Sequence, residues 1–300
     1  MTPPRIARPP APGAVSASSW AGLSGGEAIC RRLDCAPSER PARLLPPVAQ
    51  APILGTRLAI VDYERALDWI DAAVAAGARE YVCVAAVHTV MESREDPALR
   101  AAVAGAAFTV PDGQPLAWAL RSLGHPISRR VYGPDLMALC CERAARSGQR
   151  HFLFGGRDAA AVEQLRARLV ERFPGLTIVG TIPGLFHEQS DAERDAMAAE
   201  IEAARPDVVW VGIGVPRQEK WMAAMRSRLD APVLVGVGAA FDFHAGLVPQ
   251  APPWMQRNGL EWLFRLRQEP RRLWRRYARH NPRFVVAFAR QWAAERGGRR

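Results

Sequence analysis

Lysine is almost missing from this sequence: of its 40 basic residues only Lys220 is Lys, and the others are Arg. Such one-sided usage follows from a GC-rich genome and is no sign of nucleic-acid binding by itself. Long apolar runs are missing too; no stretch of about 18 apolar residues runs without a charge, so no transmembrane helix is expected. Arg5 and Arg8 have no apolar stretch behind them, which is not the pattern of a secretory signal. Cysteine is scarce and odd in number (Cys30, Cys35, Cys83, Cys140, Cys141). With neither C-x-x-C nor H-E-x-x-H, neither a disulfide framework nor a structural zinc is expected. Walker A and D-x-D do not occur either. The last absence removes the usual means by which nucleotide-sugar enzymes hold a divalent metal on a diphosphate. What remains is the expectation of a cytosolic globular protein without metal or cofactor. Its 300 residues, 49% hydrophobic and 23% charged, leave room for a full enzyme core.

The charge is unevenly placed. Residues 257–300 hold 13 Arg against 3 Glu, a local net of +10, which equals the net charge of the whole chain. A neutral body therefore carries a basic tail, and such a tail attracts polyanions: nucleic acid, an anionic membrane or a phosphorylated substrate. Nine of the 25 prolines lie in residues 1–50 among Ala, Ser and Gly, so this segment is expected to be disordered. Residues 51–252 read as an α/β domain and residues 253–300 as a basic helical appendage.

Within the α/β domain, short β-branched runs alternate with longer runs of helical period. The expected strands are Leu58–Val61, Tyr81–Val87, Phe108–Val110, His151–Phe154, Leu176–Val179, Val208–Ile213 and Val233–Val237. Helices are expected over 63–76, 89–105, 114–123, 134–147, 158–173, 190–204 and 217–228, with Asp158 and Ser190 as N-caps and Gly124 and Gly148 as stops. Apolar strands between amphipathic helices imply a largely parallel sheet covered on both faces, with ligands beyond the carboxyl ends of its strands. In the tail, Pro270 and Pro282 are expected to divide the helices. Aromatics such as Trp262, Trp274 and Tyr277 interleave with arginines in a pattern that suits a membrane interface.

Four strand ends carry unusual residues. Asp112, in Pro111-Asp112-Gly113, is either a general base on a rigid support or the N-cap of the next helix. Gly155-Gly156 is either a phosphate-receiving turn or turn geometry alone. Gly212-Ile213-Gly214-Val215-Pro216-Arg217-Gln218-Glu219 is more polar than a plain turn requires, but Arg217 occupies the last glycine position of G-x-G-x-x-G. Asp242 follows the small-residue run from Gly236 and is either a ligand-binding acid or an acid bonded to backbone. Arg130, in Arg130-Val131-Tyr132-Gly133-Pro134-Asp135, could meet an anion ahead of a helix start. His88, His125, His151 and His280 have no partner at a recognisable spacing and read as structural or exposed.

Taken together, these motifs resemble the WecG/TagA/CpsF glycosyltransferases, glycosyltransferase family 26, from about Ile53 to Arg279. Phe152-Leu153-Phe154-Gly155-Gly156, Ala251-Pro252 and Gly259-Leu260-Glu261-Trp262-Leu263-Phe264-Arg265-Leu266 belong to the same likeness. The resemblance implies a Rossmann-like α/β fold of the GT-E type with a C-terminal helical appendage. It implies inverting, metal-independent transfer of a sugar from a UDP-sugar to a polyprenyl-diphosphate-linked saccharide. The sugar would be of the N-acetylmannosamine type, its uronic acid or a hexose. It puts the catalytic base on Asp112, donor-site residues on Arg130, Gln218 and Asp242, and functional tail arginines on Arg265, Arg272 and Arg275. Two departures stand out: Val84-Ala85-Ala86 replaces a common Thr-x-Asn, and Gln250 replaces a common arginine.

The expected partners are the donor, the lipid-linked acceptor and an anionic membrane on the inner face of the cell, with no nucleic acid; homo-oligomerisation stays open. A nucleotide-dependent dehydrogenase or epimerase is the alternative, suggested by Gly212-x-Gly214 and Gly236-x-Gly238 and opposed by the missing third glycine.

Overall fold

Side-chain alternation along the strands accounts for the layers of the protein. In the strand at 208–212, Val208 and Trp210 enter one apolar cluster while Val209 and Val211 enter another. Val82 and Val84 likewise oppose Tyr81 and Cys83 in the strand at 80–85, and Leu153 opposes Phe152 and Phe154 in the strand at 150–155. A strand with apolar residues on both faces is stable only when helices cover both sides, and they do so here.

The computed structural model describes residues 45–297 apart from 128 and 186. The segment expected to be disordered lies outside the described residues as far as residue 44, and its last residue, Gln50, opens a strand. In chain order the elements are β1 (Gln50–Ile53), β2 (Thr56–Ala59), α1 (Tyr63–Ala76), β3 (Glu80–Ala85), α2 (Val87–Glu95), α3 (Pro97–Ala104) and β4 (Phe108–Pro111). Next come α4 (Gln114–Ser122), α5 (Gly133–Ser147), β5 (Arg150–Gly155), α6 (Ala159–Arg172), β6 (Thr177–Pro183) and α7 (Asp191–Ala204). The chain continues through β7 (Val208–Gly212), α8 (Arg217–Met225), β8 (Val233–Gly236), α9 (Ala240–His244), α10 (Pro253–Arg257), α11 (Glu261–Gln268) and α12 (Pro270–Gly297).

Six strands form one sheet in the order β4-β3-β8-β7-β5-β6, and every pairing in it is parallel. The expected α/β fold, with a parallel sheet, helices on both faces and a helical C-terminus, is thus what the chain forms. The caps agree as well: Asp158 accepts from the amide of Ala161, Ser190 from that of Glu193, and Gly148 ends α5 in the left-handed region.

Three expectations need correction. The run at 58–61 is not a strand of the parallel sheet; β2 pairs antiparallel with β1 in a separate hairpin. Its two-residue turn puts both Leu54 (φ 53°) and Gly55 (φ 89°) in the left-handed region, the geometry that matches strand twist in a tight hairpin. The single helix expected over 89–105 is two helices. Pro97 cannot donate to a continuing helix, and Asp96 caps the new one, its Oδ1 accepting from the amides of Ala98 and Leu99 at 3.0 Å each. Pro282 does not end its helix, because α12 runs through it for 28 residues.

The long helix α12 lies across α2 and the hairpin. Leu273, His280 and Phe284 are buried beneath it, Arg279 and Arg283 pair with Glu95, and the Gln291 amide donates to the carbonyl of Pro52. Its other face leaves Trp274, Val285 and Val286 exposed. No helix among the described residues is long and apolar enough to cross a membrane.

Candidate active site

A parallel sheet ends all its strands at one edge, so the loops there converge. Glycine brings these ends close together. A Cβ on Gly155 (φ 143°) would lie 2.6 Å from the carbonyl of Gly212, and one on Gly212 would lie 2.5 Å from the Phe241 ring. One on Gly236 would lie 2.6 Å from Met222 Cε, and one on Gly238 3.2 Å from Gln218 Oε1. The glycine pairs that suggested a dinucleotide loop are therefore largely filled by the protein's own side chains. Only Gly214 among these faces open space.

Beyond the converging ends lies a cavity of about 310 Å³. Val84 and Ala86 after β3, Asp112 after β4, Arg157 after β5, Gly214 and Gln218 after β7, and Asp242 after β8 all contribute to it. A smaller cavity of about 100 Å³ opens between the starts of α2 and α4 and the appendage, with Arg130, Trp262 and Tyr277 in its wall. Five residues line both: Ala86, His88, Asp112, Arg265 and Arg276. They form the neck between the two lobes.

Asp112 does not cap α4. Gly113 is the N-cap of that helix and makes no side-chain cap, and the Asp112 carboxylate instead accepts from the amide of Gly133, at 2.7 Å, at the start of α5. Burial raises its pKa to about 6. Arg130, the Gly133 amide and Arg265 pull it down, and Glu261 pushes it up. A carboxylate held there is ionised at neutral pH yet basic enough to accept a proton.

The other expected residues divide. Gln218 lies in the wall of the larger lobe, almost fully buried; its Nε2 donates to Glu219 Oε1 at 3.0 Å, and its Oε1 has no partner. Asp242 is not bonded to backbone through its carboxylate; the side chain pairs with both Nε (3.0 Å) and Nη2 (3.3 Å) of Arg157. Arg265 lies over the Phe243 ring at 5.5 Å, and Arg272 pairs with Glu269 at 2.6 Å. Both line the larger lobe.

Arg130 and Arg275 lie elsewhere. Arg130 is 9% exposed, makes a 2.6 Å ion pair with Glu261 of α11, and reaches only the smaller lobe. Arg275 lines neither cavity; it is exposed and sits 5.4 Å from the Trp274 ring. Neighbouring positions on a helix point about 100° apart, so the next residue, Arg276, takes the inward direction.

His88, which reads in the sequence as structural or exposed, and Arg276, which the sequence does not single out, both line the neck. A signal for Arg276 was present, since it stands four positions after Arg272 on one helix face. His88 is the first hydrogen-bonding side chain after the apolar exit of β3. Glu219 was noted only as part of a polar turn, yet it is completely buried, and burial pushes its pKa up to about 7. His151 is a core residue: Trp210 Nε1 donates to its Nδ1 at 3.2 Å, and burial lowers its pKa to about 3.

The electrostatics favour an anion in the neck. Among the described residues, neither Arg265 nor Arg276 has an ion pair. Burial lowers the pKa of Arg276; Glu92 opposes this, and the nearby Arg272 and Arg265 add to it. The described residues contain no group of three or more potential carboxylate, histidine or cysteine metal ligands.

The chain is similar to proteins that have been characterised. The model of the glycosyl transferase WecG/TagA/CpsF family matches residues 51–298. The chain is 32% identical over 196 residues to the N-acetylglucosaminyldiphosphoundecaprenol N-acetyl-beta-D-mannosaminyltransferase of Bacillus spizizenii, a match covering 65% of this chain and 73% of that protein. A Staphylococcus aureus (strain MW2) protein of the same name is 28% identical over 170 residues, covering 57% of this chain and 65% of its own length.

Proposed function

Because the chain belongs to the WecG/TagA/CpsF family of glycosyl transferases, we propose that it moves a sugar from a UDP-sugar to a polyprenyl-diphosphate-linked saccharide, with inversion and without a metal. The relatives' names specify an N-acetylmannosaminyl group and an acceptor of N-acetylglucosaminyl-diphosphoundecaprenol, and both are taken as the substrate classes here. The observation that carries the reading is the position of Asp112, whose carboxylate is in the wall of both lobes.

In this mechanism the larger lobe holds the UDP-sugar and the smaller one admits the acceptor. Asp112 takes the proton of the attacking hydroxyl, the oxygen adds to the anomeric carbon, and the bond to UDP breaks in the same displacement. Negative charge then grows on the leaving diphosphate. Arg265, Arg272 and Arg276 are fixed cations for that charge, and preorganised donors in a partly dry site stabilise it more strongly than water does. Gln218 and Asp242 serve the donor, Asp242 with its position set by Arg157. Arg130 acts from behind, holding α11 through Glu261 so that Arg265 stays in the neck. Membrane attachment by the exposed aromatics and arginines of α10–α12 brings the neck to a lipid-borne acceptor.

Incubation with a panel of UDP-sugars and a short polyprenyl-diphosphate N-acetylglucosamine, followed by product mass, tests the assignment. Transfer is expected to persist in excess EDTA. Activity lost on chelation and restored by magnesium or manganese would overturn the metal-free mechanism. Binding of NAD in place of UDP would favour the dehydrogenase or epimerase reading.

A further inference from the structure

The wall of the neck formed by the β3 exit is almost bare of polar side chains. Val84, Ala85, Ala86 and Val87 offer none, and Thr89 Oγ1 is occupied by the amide of Ala86 at 3.2 Å. His88 stands between them, half-buried, and lines both lobes. Among the described residues its ring makes no hydrogen bond within the chain, so both nitrogens are available in the neck.

We infer that His88 is a substrate-contacting residue that hydrogen-bonds the reacting sugars through a neutral imidazole, beside Asp112 and without exchanging a proton. The inference rests on the reading of the neck as the place of transfer. The charged groups facing His88 decide its state. Arg265 comes from α11, Arg276 and His280 from α12, and Asp112 from the exit of β4. Burial first, and then Arg276, Arg265 and His280, hold its pKa well below the ordinary value. The cations around the imidazole disfavour the protonated form it would become as a base, so that role stays with Asp112. It retains one donor and one acceptor, the pair needed to orient a sugar hydroxyl or acetamido group. Among the side chains of the β3 exit from Val84 to His88, only His88 can supply that orientation.

The experiment compares His88→Gln, His88→Ala and Asp112→Asn in the full chain, using UDP-N-acetylmannosamine and a short polyprenyl-diphosphate N-acetylglucosamine across about pH 5 to 8. His88→Ala should lower kcat/KM roughly tenfold or more, the loss of a substrate hydrogen bond that leaves its partner unmet. His88→Gln keeps one donor and one acceptor and should recover most of the loss. The fall in kcat/KM below about pH 6, set by Asp112, should persist in both. Equal loss in the Gln and Ala variants together with disappearance of the acid limb would make His88 the base and overturn the inference. His88→Ala at the unaltered rate would overturn it too, while leaving the transfer reading intact if Asp112→Asn is inactive. If the unaltered chain transfers nothing from this pair of substrates, the reading fails and the inference fails with it.

Discussion

Replacing Asp112 with Asn separates what the carboxylate contributes to turnover from what it contributes to the fold, and the two should move in opposite directions. Asn keeps a carbonyl oxygen for the Gly133 amide, now bonded at 2.7 Å, but cannot accept a proton. Turnover should fall by about 10²–10⁴. Stability should not fall with it. Burial raises the Asp112 pKa from the ordinary 3.8 to about 6, so the folded chain binds this proton more tightly than the unfolded one. The sign follows directly: the stability gained from the bound proton is complete below about 3.8 and lost as pH rises through about 6. Above that, the buried charge costs at most about 3 kcal/mol, and Asn does not carry this penalty. The Asn variant should therefore unfold at or above the wild-type temperature at pH 8, with the difference closing toward pH 4. Asp112→Ala should show no such gain, because it leaves the Gly133 amide unmet at about 1–3 kcal/mol. Thermal unfolding at several pH values and product mass at each would measure both effects. A folded Asn variant with near-normal turnover, or a wild-type kcat/KM that stays flat through pH 6, would refute the assignment.

Arg276→Ala should raise the KM for the UDP-sugar by roughly tenfold, while Arg275→Ala should change it by much less, since only Arg276 lines the cavities. Steady-state kinetics on the two variants checks this, and equal effects would contradict the helix register. Glu261→Ala should lower stability by about 3–5 kcal/mol in denaturant unfolding, because it strands the buried Arg130 guanidinium. A double replacement, Arg130→Met with Glu261→Leu, should recover much of that loss. Serine at Trp254, Trp262 and Trp274, which are 54%, 39% and 52% exposed, should weaken sedimentation with anionic vesicles and leave the fold intact. The remaining attachment should decline with salt, since each arginine adds at most about 1 kcal/mol near such a surface.

Much of this was legible in the sequence because it depends on local physics. Short continuous apolar runs between segments of helical period pointed to the parallel sheet and to nearly every helix of the α/β domain. Where it failed, a local feature had been overlooked: Asp96-Pro97 ends one helix and begins another, and Leu54-Gly55 turns β1 back on β2. The placement of Asp112, Gln218 and Asp242 beyond strand ends was also legible, because a parallel sheet brings all its carboxyl ends to one edge. The sequence alone determined which residues of this protein stand at that edge. Their partners were decided only by the tertiary structure. Asp242 meets Arg157 from 85 positions away, and Arg130 meets Glu261 from 131 positions away. Which tail arginines face the neck was likewise set by how α11 and α12 dock on the body. The arginines at 271, 272, 275, 276 and 279 share one stripe about 140° wide at 100° per residue, and the pattern alone does not say which edge of that stripe meets the body. Burial of Leu273, His280 and Phe284 against the body selects it, directing Arg276 into the neck and Arg275 toward solvent.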